Sequence, residues 1–221
     1  MFDRALIVVA HPDDEIIGCG ATLAKWQARG TACHLLVLAD GEMSRPNMPA
    51  TKMTEREEQC RAAGRLYGLA SVRFHRYPDQ QLDLVGQLKL VTAIEQELDR
   101  TLAQVVLTHH AGDTNADHRM THAAVRSATR AHRRPIPCLL CFEILESSLL
   151  PAPNWYETFG PDEWCTKSAA LECYRGESRT FPHPRSTTAL RELASLRGIQ
   201  VGTRYAEAFT LLRSIQGTGQ V

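Results

Sequence analysis

The sequence predicts an α/β fold: a Rossmann-like, doubly wound and mostly parallel sheet, with helices on both faces and a C-terminal capping segment. Three observations carry this. Compact apolar runs recur through the first two-thirds of the chain, helix-like segments separate them, and ionisable residues gather where two of the runs end. Strands joined through helices become parallel neighbours, because a parallel pair needs a long crossover connection.

The first run, "ALIVVA" (5–10), and the second, "CHLLVLAD" (33–40), lack polar alternation, as suits strands buried on both faces. Between them "IIGCGATLAKWQARG" reads as a helix closed by Gly30, which completes a β-α-β unit. A helix from about Met53 to Tyr67 leads to the strand "VRFHRY" (72–77). A further helix, from about Leu84 to Arg100, leads to "QVVLTHH" (104–110), and one from about Asp117 to His132 leads to "CLLCFEI". After Leu150 the segment "PAPNWYETFGPDEW" is rich in proline and aromatics and reads as a loop, lid or rim. Two helical segments (about 162–175 and 186–197) and the apolar stretch "YAEAFTLL" are expected to cap the same sheet. Neither a repeat nor a linker divides the chain, so residues 1–221 are expected to form a single domain.

Composition narrows the function. Lys plus Arg equals Asp plus Glu at 25 each, so no global field draws the chain onto nucleic acid or an anionic membrane. No secretory signal and no apolar run of spanning length is evident, which makes a soluble cytoplasmic protein the expectation. Seven cysteines without a framework of repeated spacings fit reduced thiols. Cys138 and Cys141 form C-x-x-C within an apolar run, where a spacing of three sends them to opposite faces of a strand and favours core packing.

In open α/β sheets the working groups collect at the carboxyl ends of the strands. Here those ends carry "HPDDE" after the first strand and "HHAGDTNADHR" after the strand ending near His110. If these strands are neighbours, both clusters face one crevice. His11, Asp14 and His118 then offer the nitrogen–oxygen–nitrogen set that zinc accepts, and three ligands leave a fourth position for water, as in catalytic zinc sites. Asp13, one residue off, points elsewhere and is the natural general base. Acids here also cap helices, a second reading for Asp13 and Asp14, and Glu15 favours the helix start. Gly18 and Gly20 evoke a dinucleotide loop, but they do not directly follow the strand and Leu23 stands where the third glycine belongs, so they read as close helix-to-sheet packing.

At "AHPDDE" and "NADHR" the sequence resembles the PIG-L/LmbE family of zinc-dependent N-acetylglucosamine deacetylases. The likeness extends to "TEREEQCRAAGRLYGL" and to "FPHPRSTTALRELASLRGIQVGTRYAEAF". The resemblance implies zinc bound by His11, Asp14 and His118, with Asp13 as base. It implies that Arg56 approaches the active site to hold an acid or the substrate. Many members carry H-P-D-H where this chain has Asn115-Ala116-Asp117-His118. The oxyanion donor is then either Asn115 or a replacement, for which His183 in "PHPRS" is the candidate, and Asp117 would orient a ligand from behind. The implied reaction removes an N-acetyl group from an amino sugar or sugar conjugate, in some members nucleotide-linked, releasing acetate and free amine. Two other readings stay open: a zinc amidase acting on a thiol-sugar conjugate or another acyl amide, and a nucleotide-binding module without turnover. The expected partner is an N-acetylated sugar. A homo-oligomer is among the expectations, since some relatives are trimers or hexamers.

Overall fold

The computed structural model describes residues 2–41, 44, 49, 51–131, 135–148, 152–177 and 179–215. Its strands are β1 (Arg4–Val9), β2 (Ala32–Ala39), β3 (Ser71–Tyr77), β4 (Val105–His109), β5 (Cys138–Phe142), β6 (Trp155–Phe159) and β7 (Tyr205–Ser214). Its helices are α1 (Asp14–Ala28), α2 (Thr51–Tyr67), α3 (Leu82–Val85), α4 (Gln87–Thr101), α5 (Ala116–Ala128), α6 (Pro161–Glu172) and α7 (Thr187–Gln200).

The strands form one sheet in the order β3-β2-β1-β4-β5-β7-β6. The first five are parallel, and β7 runs against both β5 and β6. β1 shows why its run lacks polar alternation. Ala5, Ile7 and Val9 enter the core under α1, α2 and α6, whereas Leu6, Val8 and Ala10 enter the core under α4 and α5. Both faces are dry, so both residue sets are apolar. β1 and β4 are hydrogen-bonded neighbours. The winding order of the strands reverses at that pair, from β1-β2-β3 on one side to β4-β5 on the other, where such folds open a crevice at the carboxyl ends.

The expected strands and helices are present through β5, with two differences. The helix expected over 84–100 is broken at Gly86, whose φ of 87° and ψ of 137° are not helical, into α3 and α4. α5 stops at Ala128, and His132 lies outside the described residues. The larger correction concerns the C-terminal third. The segment expected to be a loop, lid or rim holds β6, and "YAEAFTLL" is β7, inside the sheet rather than over it. Flanking prolines gave that region a loop-like composition, while the short alternating stretch "WYETF" carried the strand. Its aromatics are packing groups: Trp155 meets Trp26 and Phe209 edge-on, and Phe159 and Trp164 stack on Tyr205.

α1 is kinked at Cys19 (φ −148°, ψ 22°). The i, i+4 pair of the Ile17 carbonyl and the Ala21 amide finds partners in a buried ion pair: Lys167 Nζ donates to Ile17 O at 3.0 Å, and Glu207 accepts from Ala21 N and Thr22 N at 2.9 and 2.7 Å. Lys167 and Glu207 bond each other at 2.6 Å. Side chains inserted into a helical ladder are a recognised cause of kinks. The flanking glycines permit close approach, since a Cβ on Gly18 would sit 2.3 Å from the Phe142 ring and one on Gly20 would sit 2.6 Å from the Tyr67 hydroxyl. They are packing glycines. Cys138 and Cys141 face opposite sides, and the cysteines are free. Among the described residues no helix is long and apolar enough to cross a membrane.

Candidate active site

The crevice between β1 and β4 brings both polar clusters together. His11, Asp13 and Asp14 leave the end of β1, and His118 stands in the first turn of α5. His11 Nδ1 and His118 Nε2 each lie 3.5 Å from Asp14 Oδ2. A tetrahedral zinc with bonds of ~2.1 Å separates its ligand atoms by about 3.4 Å, so the spacing fits that ion. The ligand atoms of the three residues lie within 4.8 Å of one another.

Two buried atoms support the same use. Among the described residues Asp14 Oδ1 and His118 Nε2 have no hydrogen-bond partner, although buried polar atoms are ordinarily satisfied. The other nitrogen of His118, Nδ1, lies 2.9 Å from Asp113 Oδ2, which also accepts from Ser147 and Ser148. His11 is arranged likewise, with Nε2 at 3.0 Å from both Asp117 and Asp79. Asp117 is fixed in turn by the amides of Gln80 and Leu82. A carboxylate behind each histidine orients the ring and raises its basicity toward a metal. Burial alone would lower the pKa of His11, yet its bonds to Asp117, Asp14 and Asp79 hold it well above the usual imidazole value. Burial would raise Asp14, but the neighbouring His118 and His109 bring its carboxyl well below the ordinary range. The pocket therefore favours positive charge against a carboxylate, as a cation site requires.

Asp13 is the N-terminal flanking residue of α1 but makes no side-chain cap, and its φ of 108° is strained for a residue with a side chain. Its carboxylate turns instead to two guanidiniums, Arg56 Nη2 at 2.7 Å and Arg185 Nη1 at 3.0 Å. Burial raises the Asp13 carboxyl against the pull of those two cations. Arg56 also donates to Pro12 O and lies over the Tyr174 ring. Glu15 does more than favour a helix start. Only 1% exposed, it accepts from Asp13 N at 3.0 Å and from the Tyr174 hydroxyl at 2.6 Å, and burial pushes its carboxyl up to about 7.

The two remaining sequence candidates sit less directly. Asn115 is the N-cap of α5, its Oδ1 accepting from Asp117 N and His118 N. His183 is half-buried before α7, and its Nδ1 accepts from Arg185 N at 3.1 Å. Among the described residues no hydrogen bond joins His183 to Asp13, Asp14, His11 or His118. Arg185 of the same "PHPRS" motif bonds Asp13 directly. Sequence reasoning passed over Asp79, Tyr174, Glu177 and Arg185, and left His109 and Asp113 without roles. His109, stacked on His118 with ring centroids 3.9 Å apart, is pushed down to about 4 by burial and by that neighbour.

A family model described as "PIG-L: GlcNAc-PI de-N-acetylase" matches residues 6–129. Among curated proteins, "Uncharacterized deacetylase YaiS" of Escherichia coli (strain K12) is 26% identical over 175 residues, covering 77% of this chain and 89% of its own. Among solved structures, the conserved protein TT1542 from Thermus thermophilus superposes with a TM-score of 0.79 at 26% identity, covering 100% of this chain and 99% of its own. The N,N′-diacetylchitobiose deacetylase from Pyrococcus horikoshii superposes with a TM-score of 0.77 at 18% identity, covering 96% and 84%.

Proposed function

Since the chain belongs to the PIG-L family of de-N-acetylases, we propose that it is a zinc-dependent hydrolase that removes the acetyl group from an N-acetylated amino sugar or sugar conjugate. The observation that carries this reading is that Asp14 Oδ1 and His118 Nε2 are buried without a hydrogen-bond partner among the described residues, while His11, Asp14 and His118 gather their ligand atoms within 4.8 Å of one another in the β1–β4 crevice. The sugar class is supported by the family description and by the chitobiose substrate of the Pyrococcus horikoshii structural relative.

His11, Asp14 and His118 would hold the ion, which when bound supplies Lewis-acid polarisation of a carbonyl and acidifies water toward neutrality. Asp113 holds His118 with Nε2 turned inward, and Asp117 and Asp79 do the same for His11 Nδ1. Asp13 takes a proton from the attacking water as a C–O bond forms at the acetyl carbon, then returns it to the nitrogen as the C–N bond breaks. One water and one amide become acetate and free amine. Burial raises the Asp13 carboxyl against the pull of Arg56 and Arg185, the direction in which environments tune catalytic acids.

Acetate release from N-acetylglucosamine and N,N′-diacetylchitobiose, with zinc and after EDTA treatment, tests the reading. Zinc-dependent release is expected, and absence of release from every N-acetyl sugar tried overturns it. Asp13→Asn should keep zinc stoichiometry while turnover falls by about 10²–10⁴; near-normal turnover in that variant would remove Asp13 as the base.

A further inference from the structure

We infer that Arg185, paired with Glu177, is a positioning residue that fixes the Asp13 carboxylate for its work as base; the inference rests on the deacetylase reading above. Arg185 Nη1 lies 3.0 Å from Asp13 Oδ2 and 3.1 Å from Glu177 Oε2. Arg56 makes the matching pair, with Nη2 at 2.7 Å from Asp13 Oδ2 and Nη1 at 3.5 Å from Glu177 Oε1. Two carboxylates and two guanidiniums thus alternate around a closed ring.

The ring selects an oxygen. Both cations bond Oδ2 of Asp13, and among the described residues Oδ1 accepts no hydrogen bond. One donor would let the carboxylate turn about its Cβ–Cγ bond, whereas two donors from different segments fix its plane and leave Oδ1 to meet the proton. Arg185 is anchored from behind by Glu146, which accepts from Nε at 2.5 Å. Glu146 adjoins Ser147 and Ser148, the residues that hold Asp113 behind His118. The guanidinium therefore ties the base to the loop that supports a metal ligand.

A purely structural role explains this less well. Buried ion pairs contribute little net stability once desolvation is counted, and the bond spans 172 positions of sequence to reach a residue with a strained backbone. Small misplacements of a catalytic group are costly to rate, which gives the ring a use.

The test compares wild type with Arg185→Gln, Arg185→Lys and Glu177→Gln. On N,N′-diacetylchitobiose, kcat of Arg185→Gln should fall roughly 10- to 100-fold, with KM within about twofold and zinc content unchanged. Lysine, which keeps the charge but loses the planar fork, should recover only part of the rate. Wild-type kcat in Arg185→Gln, or a rise in KM alone, overturns the inference. A second readout is independent of turnover: thermal unfolding of metal-free Asp13→Asn, Arg185→Gln and the double variant. Non-additive shifts are expected, and additive ones overturn the pairing. If wild type releases no acetate from any sugar, the deacetylase reading fails on its own, and the unfolding cycle still decides whether the two residues are coupled.

Discussion

His118 gives one nitrogen to Asp113 and, among the described residues, leaves the other without a hydrogen bond inside a buried pocket, as Asp14 leaves one of its oxygens. Such atoms are expensive to bury unless something arrives to meet them. The acids behind the histidines should therefore control metal affinity without touching the metal. Asp113→Asn is expected to weaken zinc binding about 10- to 100-fold while the fold persists, as measured by zinc titration with a competing chelator. Unchanged affinity would mean that Asp113 only braces the loop of Ser147 and Ser148. These residues also mark a limit of motif reading: His11, Asp13, Asp14 and His118 stand within two short motifs, whereas Asp79 lies after a different strand and joins His11 only when β1, β2 and β3 align.

α1 is held in its kinked form from outside itself. Lys167 of α6 and Glu207 of β7 occupy the backbone groups freed near Cys19, and the kink lets the first turn, with Asp14 and Glu15, follow its own direction. Removing one partner strands a buried charge, so Lys167→Met is expected to cost about 3–5 kcal/mol in denaturant unfolding. Lys167→Met combined with Glu207→Gln should cost less than the sum of the two singles, because neither charge is then left alone. Additive losses would show that the two residues act separately. The sequence made α1 legible as a helix and Gly18 and Gly20 legible as packing positions. The kink was not, since its causes lie 150 and more positions away.

Across the whole molecule, the C-terminal third completes a site that the first half begins. The family match ends at residue 129, yet Lys167, Tyr174, Glu177, Arg185 and Glu207 all bear on the β1 end or on α1. A metal bound where these layers meet should stabilise the whole fold, because only the folded chain gathers its ligands. Zinc at a thousand-fold excess over its dissociation constant would add about 4 kcal/mol, or roughly 8–16 °C in a chain of this size. Differential scanning fluorimetry with zinc and with EDTA measures the shift. Asp14→Ala should abolish it, and an undiminished shift in that variant would place the ion elsewhere.

By itself the sequence determined the parallel core, from β1 to β5, and the metal-ligating and basic candidates at its strand ends. Both are written in local pattern: apolar runs of strand length, and polar clusters that begin where the runs stop. Only the tertiary structure decided that "WYETF" is a strand, that Arg185 bonds Asp13, and that Glu15 is a buried, bonded acid. Those outcomes rest on which segments pack against one another, and contacts across tens to hundreds of residues leave no periodicity or spacing to read. What "HPDDE" could not carry is the set of partners that tells its three acids apart: histidines around Asp14, two arginines on Asp13, and a tyrosine on Glu15.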